Sequence, residues 1–388
     1  MADVAVIGAG VVGLSTAWML AEAGTAVTVL DSSSSEGGAS GRAHGEIVPP
    51  AATVQPLWRE TLAIYQRLAE HNDFGWDHTP VGTIITADRG EEKLLLARKH
   101  ANDTHRVATR LVRAPELKTV EPAVDLSDGC ALLLTEGRKI NPHKAVAALA
   151  GSARAAGAAL RCGVTVVGLQ RTAGRWRVMS SDGRIFEATK VVLATGLGTS
   201  QLAQEVGCRI PLVGVHGRIL LTEPLPTTLT RIVSAISAGP AAFAATRTTL
   251  RDLATPTHKP AAVASLMHQR QDGRFAIGAS WSPALLPEGR YPATRIAKAA
   301  IRRVPILADA VIEGSWSGVR PYAVDGRPVI DEIAEGLYTC CGHGGEGFIL
   351  GPGSARLMSQ IVLNRPPICS TAEFSATRFS ESLNTREP

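Results

Sequence analysis

The first 31 residues constrain the chain more than any other stretch. Val4-Ala5-Val6-Ile7 is apolar and β-branched, the pattern of a short buried strand. Gly8-Ala9-Gly10-Val11-Val12-Gly13 follows at once with G-x-G-x-x-G spacing. Ser15 to Ala23 reads as a helix, with Leu14, Trp18 and Leu20 among its apolar positions, and Gly24 ends it. Val27-Thr28-Val29-Leu30 is a second buried strand, and Asp31 sits at its C-terminal end. Strand, glycine turn, helix, strand and acid occur in the order that a βαβ dinucleotide unit requires.

Each residue type has a physical role in such a unit. Gly8 allows the tight turn out of the strand. Gly10 lacks a Cβ, so a pyrophosphate can approach the backbone. Gly13 lets helix and strand pack closely. The helix N-terminus offers free N–H groups and a positive dipole end to phosphates. Asp31 accepts hydrogen bonds from ribose hydroxyls and repels a 2′-phosphate, with Ser32 beside it. By itself the unit does not choose between NAD and FAD.

The next stretch makes that choice. Gly37-Gly38-Ala39-Ser40-Gly41-Arg42-Ala43-His44-Gly45 is a second Gly-rich loop, where an NAD-type unit usually runs into another helix and strand. A run of small residues lays backbone along a long extended ligand. This loop resembles that of the D-amino-acid oxidase and glycine oxidase superfamily of FAD oxidoreductases, where it borders the pyrophosphate and the flavin. Ala43-His44 stand where many relatives carry Asn-Gly or Asn-Ala.

The resemblance extends along the chain. Glu116-Leu117 and Glu121-Pro122 are similar to the family's "EL…EP" segment; read alone, they are a Pro-bounded helix with an acidic first turn. Val164 to Val167 reads as a strand, and the residue matching Val166 holds the adenine by its backbone in relatives. Lys190 to Gly198 reads as a buried strand ending in Ala194-Thr195-Gly196, which resembles the second nucleotide-side motif of these flavoproteins. Pro211 to Leu221 resembles the family's re-entry strand, with His216 and Arg218 in place of the usual Arg and Gln; His216 is read as structural.

Gly318-Val319-Arg320-Pro321-Tyr322-Ala323-Val324-Asp325-Gly326-Arg327-Pro328 matches the family's G-x-R-P-x-x-x-D-G-x-P segment. The resemblance implies that Arg320 clamps a substrate carboxylate, a role suited to a planar, permanently charged fork. The alternative is a structural Arg paired to an acid such as Asp325. Arg327 is read as structural. Gly342-His343-Gly344-Gly345-Glu346-Gly347-Phe348 resembles the family's G-H-x-x-x-G, followed by a helix from Ser354 to Val362 with Pro352 in its first turn. The helix N-terminus is expected to point at the flavin's N1/C2=O edge and to stabilise the negative charge of reduced flavin, as helix starts stabilise anions. Glu346 departs from the pattern and reads either as an acid over the flavin or as a solvent-facing residue of the loop. Arg320, Tyr322 and His343 are the candidate catalytic residues.

The remaining segments read more plainly. Leu57 to Leu68 is an apolar-faced helix, Gly82 to Thr86 a strand, and Glu91 to Val112 a long charged helix or helix pair. His143 to Ala156 is an Ala-rich helix, and Trp176–Ser180 with Arg184–Ala188 forms a hairpin. Short strands at Val213–Thr222, Ala262–His268 and Arg274–Gly278 suggest antiparallel pairing. Ser237 to Lys259 has no clear period and reads as loop, and the tail after Pro367 as frayed.

With 388 residues the chain can fill two domains. The expected fold is α/β: a Rossmann-like FAD domain from residues 1–50, 137–205 and 315–388, with an α+β substrate domain on an antiparallel sheet from 51–136 and 206–314. Charged content of 19% and hydrophobic content of 45% are ordinary for a globular enzyme. The net charge of +5 comes largely from spread arginines, so no nucleic-acid partner is expected. Arg295, Lys298, Arg302 and Arg303 recur along one helix and read as a solvated face, with a membrane-surface or partner contact as the alternative. No apolar run spans a membrane, and the strand beginning by Val4 leaves no room for a signal peptide, so a cytoplasmic location is expected. The six cysteines contain no metal-type pair and read as reduced, mostly buried residues. No metal is expected.

The resemblance implies oxidation of an amine C–N bond, by hydride transfer from an amino acid or secondary amine to flavin N5, giving an imine that hydrolyses. The FAD is expected to be non-covalent. No cysteine falls between Cys208 and Cys340, where sarcosine-oxidising relatives attach flavin, and His44 is out of register with histidyl-flavin relatives. Three alternatives stand beside this reading: a 2-hydroxy acid as substrate, one subunit of a hetero-oligomeric dehydrogenase passing electrons to a partner, and a non-enzymatic flavin-bound subunit.

Overall fold

The computed structural model describes residues 2–33, 38–50, 54–105, 107–127, 129–236, 262–283 and 291–379. Gly37 and the Ser237–Lys259 stretch lie outside the described residues. The N-terminal unit forms as its sequence reads: β1 (Ala2–Ile7), α1 (Val11–Glu22) and β2 (Val27–Asp31). Gly8 sits at φ +107°, and a Cβ there would lie 2.4 Å from the carbonyl oxygen of Ala194. A Cβ on Gly13 would lie 1.9 Å from the Gly8 carbonyl oxygen. Only glycine fits at either place, and the two approaches set the spacing of helix and strands.

β3 (Glu46–Ile47), α2 (Gln55–Ala69), β4 (Thr83–Asp88), α3 (Glu92–Thr104), β5 (Thr109–Arg113), α4 (Ala114–Val120), β6 (Gly129–Leu134) and β7 (Arg138–Lys139) follow. The charged stretch expected to be helical throughout divides in two. α3 stops at Thr104, and Thr109–Arg113 pairs antiparallel with β6, burying Val112. Pairing with an apolar neighbour strand outweighs local helix propensity there.

The chain continues through α5 (Pro142–Ala155), β8 (Ala159–Cys162), β9 (Val166–Thr172), β10 (Arg175–Ser180), β11 (Ile185–Leu193), α6 (Thr199–Gln204), β12 (Leu212–Pro224), β13 (Ile232–Ala235), β14 (Ala262–Gln269), β15 (Arg274–Pro283), α7 (Tyr291–Arg303), β16 (Ile312–Ala323), β17 (Val329–Ala334), β18 (Leu337–Cys341) and α8 (Gly347–Val362). The Asn141 side chain caps α5 by accepting from the Lys144 N–H. The expected hairpin arm and the expected buried strand are one element. β11 pairs antiparallel with β10 and also lies parallel between β1 and β18.

The first sheet runs β17-β18-β11-β1-β2-β8, parallel except at the β17 edge, with the β9–β10 hairpin attached to β11. The second runs β16-β12-β15-β14-β13-β4-β6-β5 and is antiparallel apart from the parallel β13–β4 pair. Two segments sit apart from their expected domains. α2, placed with the substrate domain, packs Leu57, Trp58, Ile64, Tyr65 and Leu68 into the core shared by α1 and α8. β16 pairs with β12 from Ile312 to Ala323, so the chain returns to the first sheet after Ala323 and not at 315.

The C-terminal tail is ordered further than its polarity suggests. Phe374 and Phe379 are buried, and Asp331 accepts from Ser375 Oγ at 2.7 Å and from the Ala376 N–H at 2.8 Å. Two aromatic anchors and a carboxylate outweigh the polar composition. All six cysteines are free; Cys130, Cys340 and Cys341 are buried, Cys208 and Cys369 half-buried, and Cys162 exposed. In α7, Arg302 and Arg303 both pair with Asp88, and Arg303 is buried, so this face is not wholly solvated. No helix among the described residues is long and apolar enough to cross a membrane.

α8 begins at Gly347, earlier than its sequence suggests, and so encloses Pro352. Pro352 lacks the N–H that would reach the Phe348 carbonyl one turn back. The Tyr65 hydroxyl, from α2, donates to that carbonyl oxygen at 3.0 Å instead. The Gly353 N–H donates to Thr61 Oγ1 at 2.9 Å, and a Cβ on Gly353 would lie 1.9 Å from the Leu57 carbonyl oxygen. α2 thereby repairs the interruption in α8. Tyr65→Phe, which strands a buried carbonyl, is expected to lower unfolding free energy by about 1–3 kcal/mol in urea titrations. An unchanged midpoint would refute that role.

Candidate active site

A cavity of about 810 Å³ lies between the C-terminal ends of β1, β2 and β11 and the inner face of the second sheet. Open α/β sheets place ligands at such strand ends, and the volume is at the large end for small-molecule sites. At one end its wall includes Gly8, Gly10, Val11, Val12, Asp31, Ser32, Val166, Ala194, Thr195 and Gly196. Gly10 caps α1 without a side-chain hydrogen bond. Asp31 Oδ2 accepts the Ala9 N–H at 2.5 Å, and Oδ1 accepts the Ser33 N–H at 2.8 Å. Oδ1 also accepts from the Ser33 hydroxyl at 2.9 Å, so the carboxylate is fixed and Oδ2 keeps a further lone pair.

Ser40, Arg42, Ala43, His44 and Gly45 form the middle of the wall. Ser40 Oγ accepts the Val11 N–H at 3.1 Å and would be 3.0 Å from a Cβ on Gly10, so the second loop closes on the first through that missing side chain. Arg42 Nη1 donates to the Ser317 carbonyl at 3.0 Å, and Trp316 Nε1 donates to the Arg42 carbonyl at 3.2 Å, which fasten this loop to β16. Gly13 and Gly41 are not on the cavity wall: Gly13 serves the helix–strand approach, and Gly41 is buried in the short turn Ser40–Arg42.

The far end gathers Arg320 and Tyr322 of β16 with Gly342, His343, Gly344, Gly345, Glu346, Gly347 and Phe348 at the start of α8. Arg320 Nη1 donates to the Ser280 carbonyl at 2.9 Å and the His216 carbonyl at 3.4 Å. Its guanidinium carbon lies 5.3 Å from the Trp281 ring centroid. A Cβ on Gly217 would fall 2.1 Å from Nη1, so that glycine leaves room for the fork. Asp325, weighed above as a partner for Arg320, accepts instead from Arg378 Nε at 2.7 Å. Arg327 contributes backbone groups to the same corner.

Burial sets the protonation of this end. It lowers His343 to about 4, and His343 Nε2 lies 2.9 Å from Ser354 Oγ. It raises the Tyr322 phenol, whose ring lies so close to Gly344 that a Cβ there would be 2.1 Å from Cε1. It also raises Glu346, with the Arg98 charge opposing. Arg98 was not foreseen. It reaches the wall from α3 and donates to the Pro49 and Pro50 carbonyls at 2.7 and 3.1 Å. Leu94, Ile85 and Trp281 join it from the second sheet and its helix. Nothing in a charged helical run marks one arginine as inward-facing.

The wall suits an FAD. A glycine-capped helix start fits a pyrophosphate, a fixed carboxylate fits a ribose, and the long cavity ends at a second helix start whose positive dipole end suits an electron-rich ring. Because His343 is held neutral, the unfolded chain takes up a proton that the folded chain refuses. Stability contributed by His343 is therefore full above about 6.5 and lost as pH falls toward about 4. Over that window the protein should lose more stability than its His343→Gln variant in urea titrations; parallel losses would contradict this.

Comparison with known proteins agrees with the geometry. The family model described as FAD dependent oxidoreductase (DAO) matches residues 3–361. A glycine oxidase of Pseudomonas aeruginosa is 28% identical over 96% of this chain and 98% of its own length. A D-amino acid dehydrogenase of Xanthobacter autotrophicus is 26% identical over 97% and 99%. The crystal structure of glycine oxidase from Geobacillus kaustophilus superposes with a TM-score of 0.85 at 23% identity, covering 97% of this chain and 98% of that one, and so shares the fold. With nearly the whole chain matched and the cavity placed at the strand ends, the chain belongs to the DAO family of FAD-dependent oxidoreductases.

Proposed function

We propose that this enzyme oxidises the C–N bond of an amino acid or another amine that carries a carboxylate. The observation that carries the reading is the Arg320 fork on the cavity wall, held by two backbone carbonyls and backed by Trp281, at the same end as the start of α8. A guanidinium seated on the cavity wall is a planar, permanently charged fork, the group suited to a carboxylate. The relatives named glycine oxidase and D-amino acid dehydrogenase support the substrate class.

Bound FAD supplies the two-electron acceptor for this chemistry. The chain's own part is positioning. Arg320 anchors the carboxylate, Trp281 and Tyr322 wall the site, and Tyr322 stays protonated as a donor. The start of α8 places its positive end where negative charge develops. The cofactor is held without a covalent bond. In support, Cys340 and Cys341 line the cavity but burial raises both thiols, that of Cys341 to about 11, so neither offers a thiolate.

Under anaerobic conditions the yellow protein should bleach with a D-amino acid, glycine, sarcosine or a proline. Bleaching only by hydroxy acids would replace the amine reading, and bleaching by nothing would refute it. Arg320→Ala should lower kcat/KM by about 2–5 kcal/mol for a carboxylate-bearing amine and much less for its decarboxylated analogue. Equal losses for the two would remove the clamp. Asp31→Ala should release FAD on dilution, read from absorbance after gel filtration, whereas full retention would take Asp31 out of cofactor binding.

A further inference from the structure

We propose that His44 and His268, with Glu46 behind His44, form a binding site for a divalent transition-metal ion of the zinc class. One ligand atom from each of the three residues lies within 4.8 Å of the other two. His44 and Glu46 come from the loop along the middle of the cavity wall, and His268 comes from β14 of the second sheet. The two imidazole rings meet edge to face with centroids 4.8 Å apart. His44 is 8% exposed and His268 is 1% exposed.

Two buried ring nitrogens lack a hydrogen-bond partner: His44 Nε2 and His268 Nδ1. Buried polar atoms without partners are uncommon, and an ion is one of the few things that satisfies two imidazole nitrogens together. His44 Nδ1 is already bonded to Glu46. A carboxylate behind one ring nitrogen fixes the tautomer and makes the other nitrogen the better ligand, the usual arrangement around metal-bound histidine. Space is kept at that nitrogen by Gly278, where a Cβ would lie 3.3 Å from His44 Cδ2 and 3.6 Å from Nε2. Metal–nitrogen bonds of about 2.0–2.1 Å put neighbouring ligands of a tetrahedral ion about 3.4 Å apart, to be set against the 4.8 Å that bounds the three ligand atoms here. An ion here would tie the middle loop of the wall to the second sheet.

The test uses the FAD-loaded protein, stripped with a chelator and dialysed against buffered free zinc. Metal analysis should give about one zinc per chain, and X-ray absorption at the zinc edge should show two imidazoles. Glu46→Gln should weaken binding by about 10–100-fold. His268→Ala should abolish it while retaining the yellow colour; if that variant does not fold, His268→Gln is measured in its place. Zinc well below one equivalent, or binding that survives both the His268 and Glu46 changes, would overturn the proposal.

Discussion

The backbone contact between the end of β1, the start of α1 and the end of β11 is the constraint on which the rest depends. Gly8 and Gly13 bring three elements closer than any side chain permits. That closeness aligns the β1, β2 and β11 ends and opens one wall of the cavity there. The second sheet then supplies the opposite wall. The cavity exists because two sheets face each other over a glycine-built edge, and neither sheet alone encloses it.

What was legible in the sequence is what local chemistry writes locally. The G-x-G-x-x-G turn, the acid after β2, the Ala194-Thr195-Gly196 strand end and the Arg320 segment each carry their meaning within about a dozen residues. The structure brings them to one cavity. Periodicity likewise placed α2, although not its partner. Its apolar face fits the α1–α8 core as well as it would fit a substrate-domain core, and periodicity is silent on which.

What was not legible depends on pairing between distant segments. The parallel contact of β13 with β4 and the edge pairing of β5 have no local signature. The same holds for side chains. Arg98 is one base in a charged helix until α3 is laid beside Pro49 and Pro50. His268 is a lone histidine in an apolar strand until the wall loop brings His44 to it. The polar tail misled in the opposite direction, because two aromatics suffice to dock it.

The hydroxyl that stands in for the missing N–H of Pro352 links two positions far apart in the chain. Their tolerances are therefore conditional on one another. With proline at 352, position 65 must supply a donor; with any other residue there, the helix would satisfy its own carbonyl and the tyrosine hydroxyl would lose its purpose. The order of substitution then matters. Replacing the proline first opens a path to other residues at position 65, whereas replacing the tyrosine first passes through a buried orphan carbonyl. This is epistasis with a single hydrogen bond as its cause, set at the helix whose start forms the far end of the cavity.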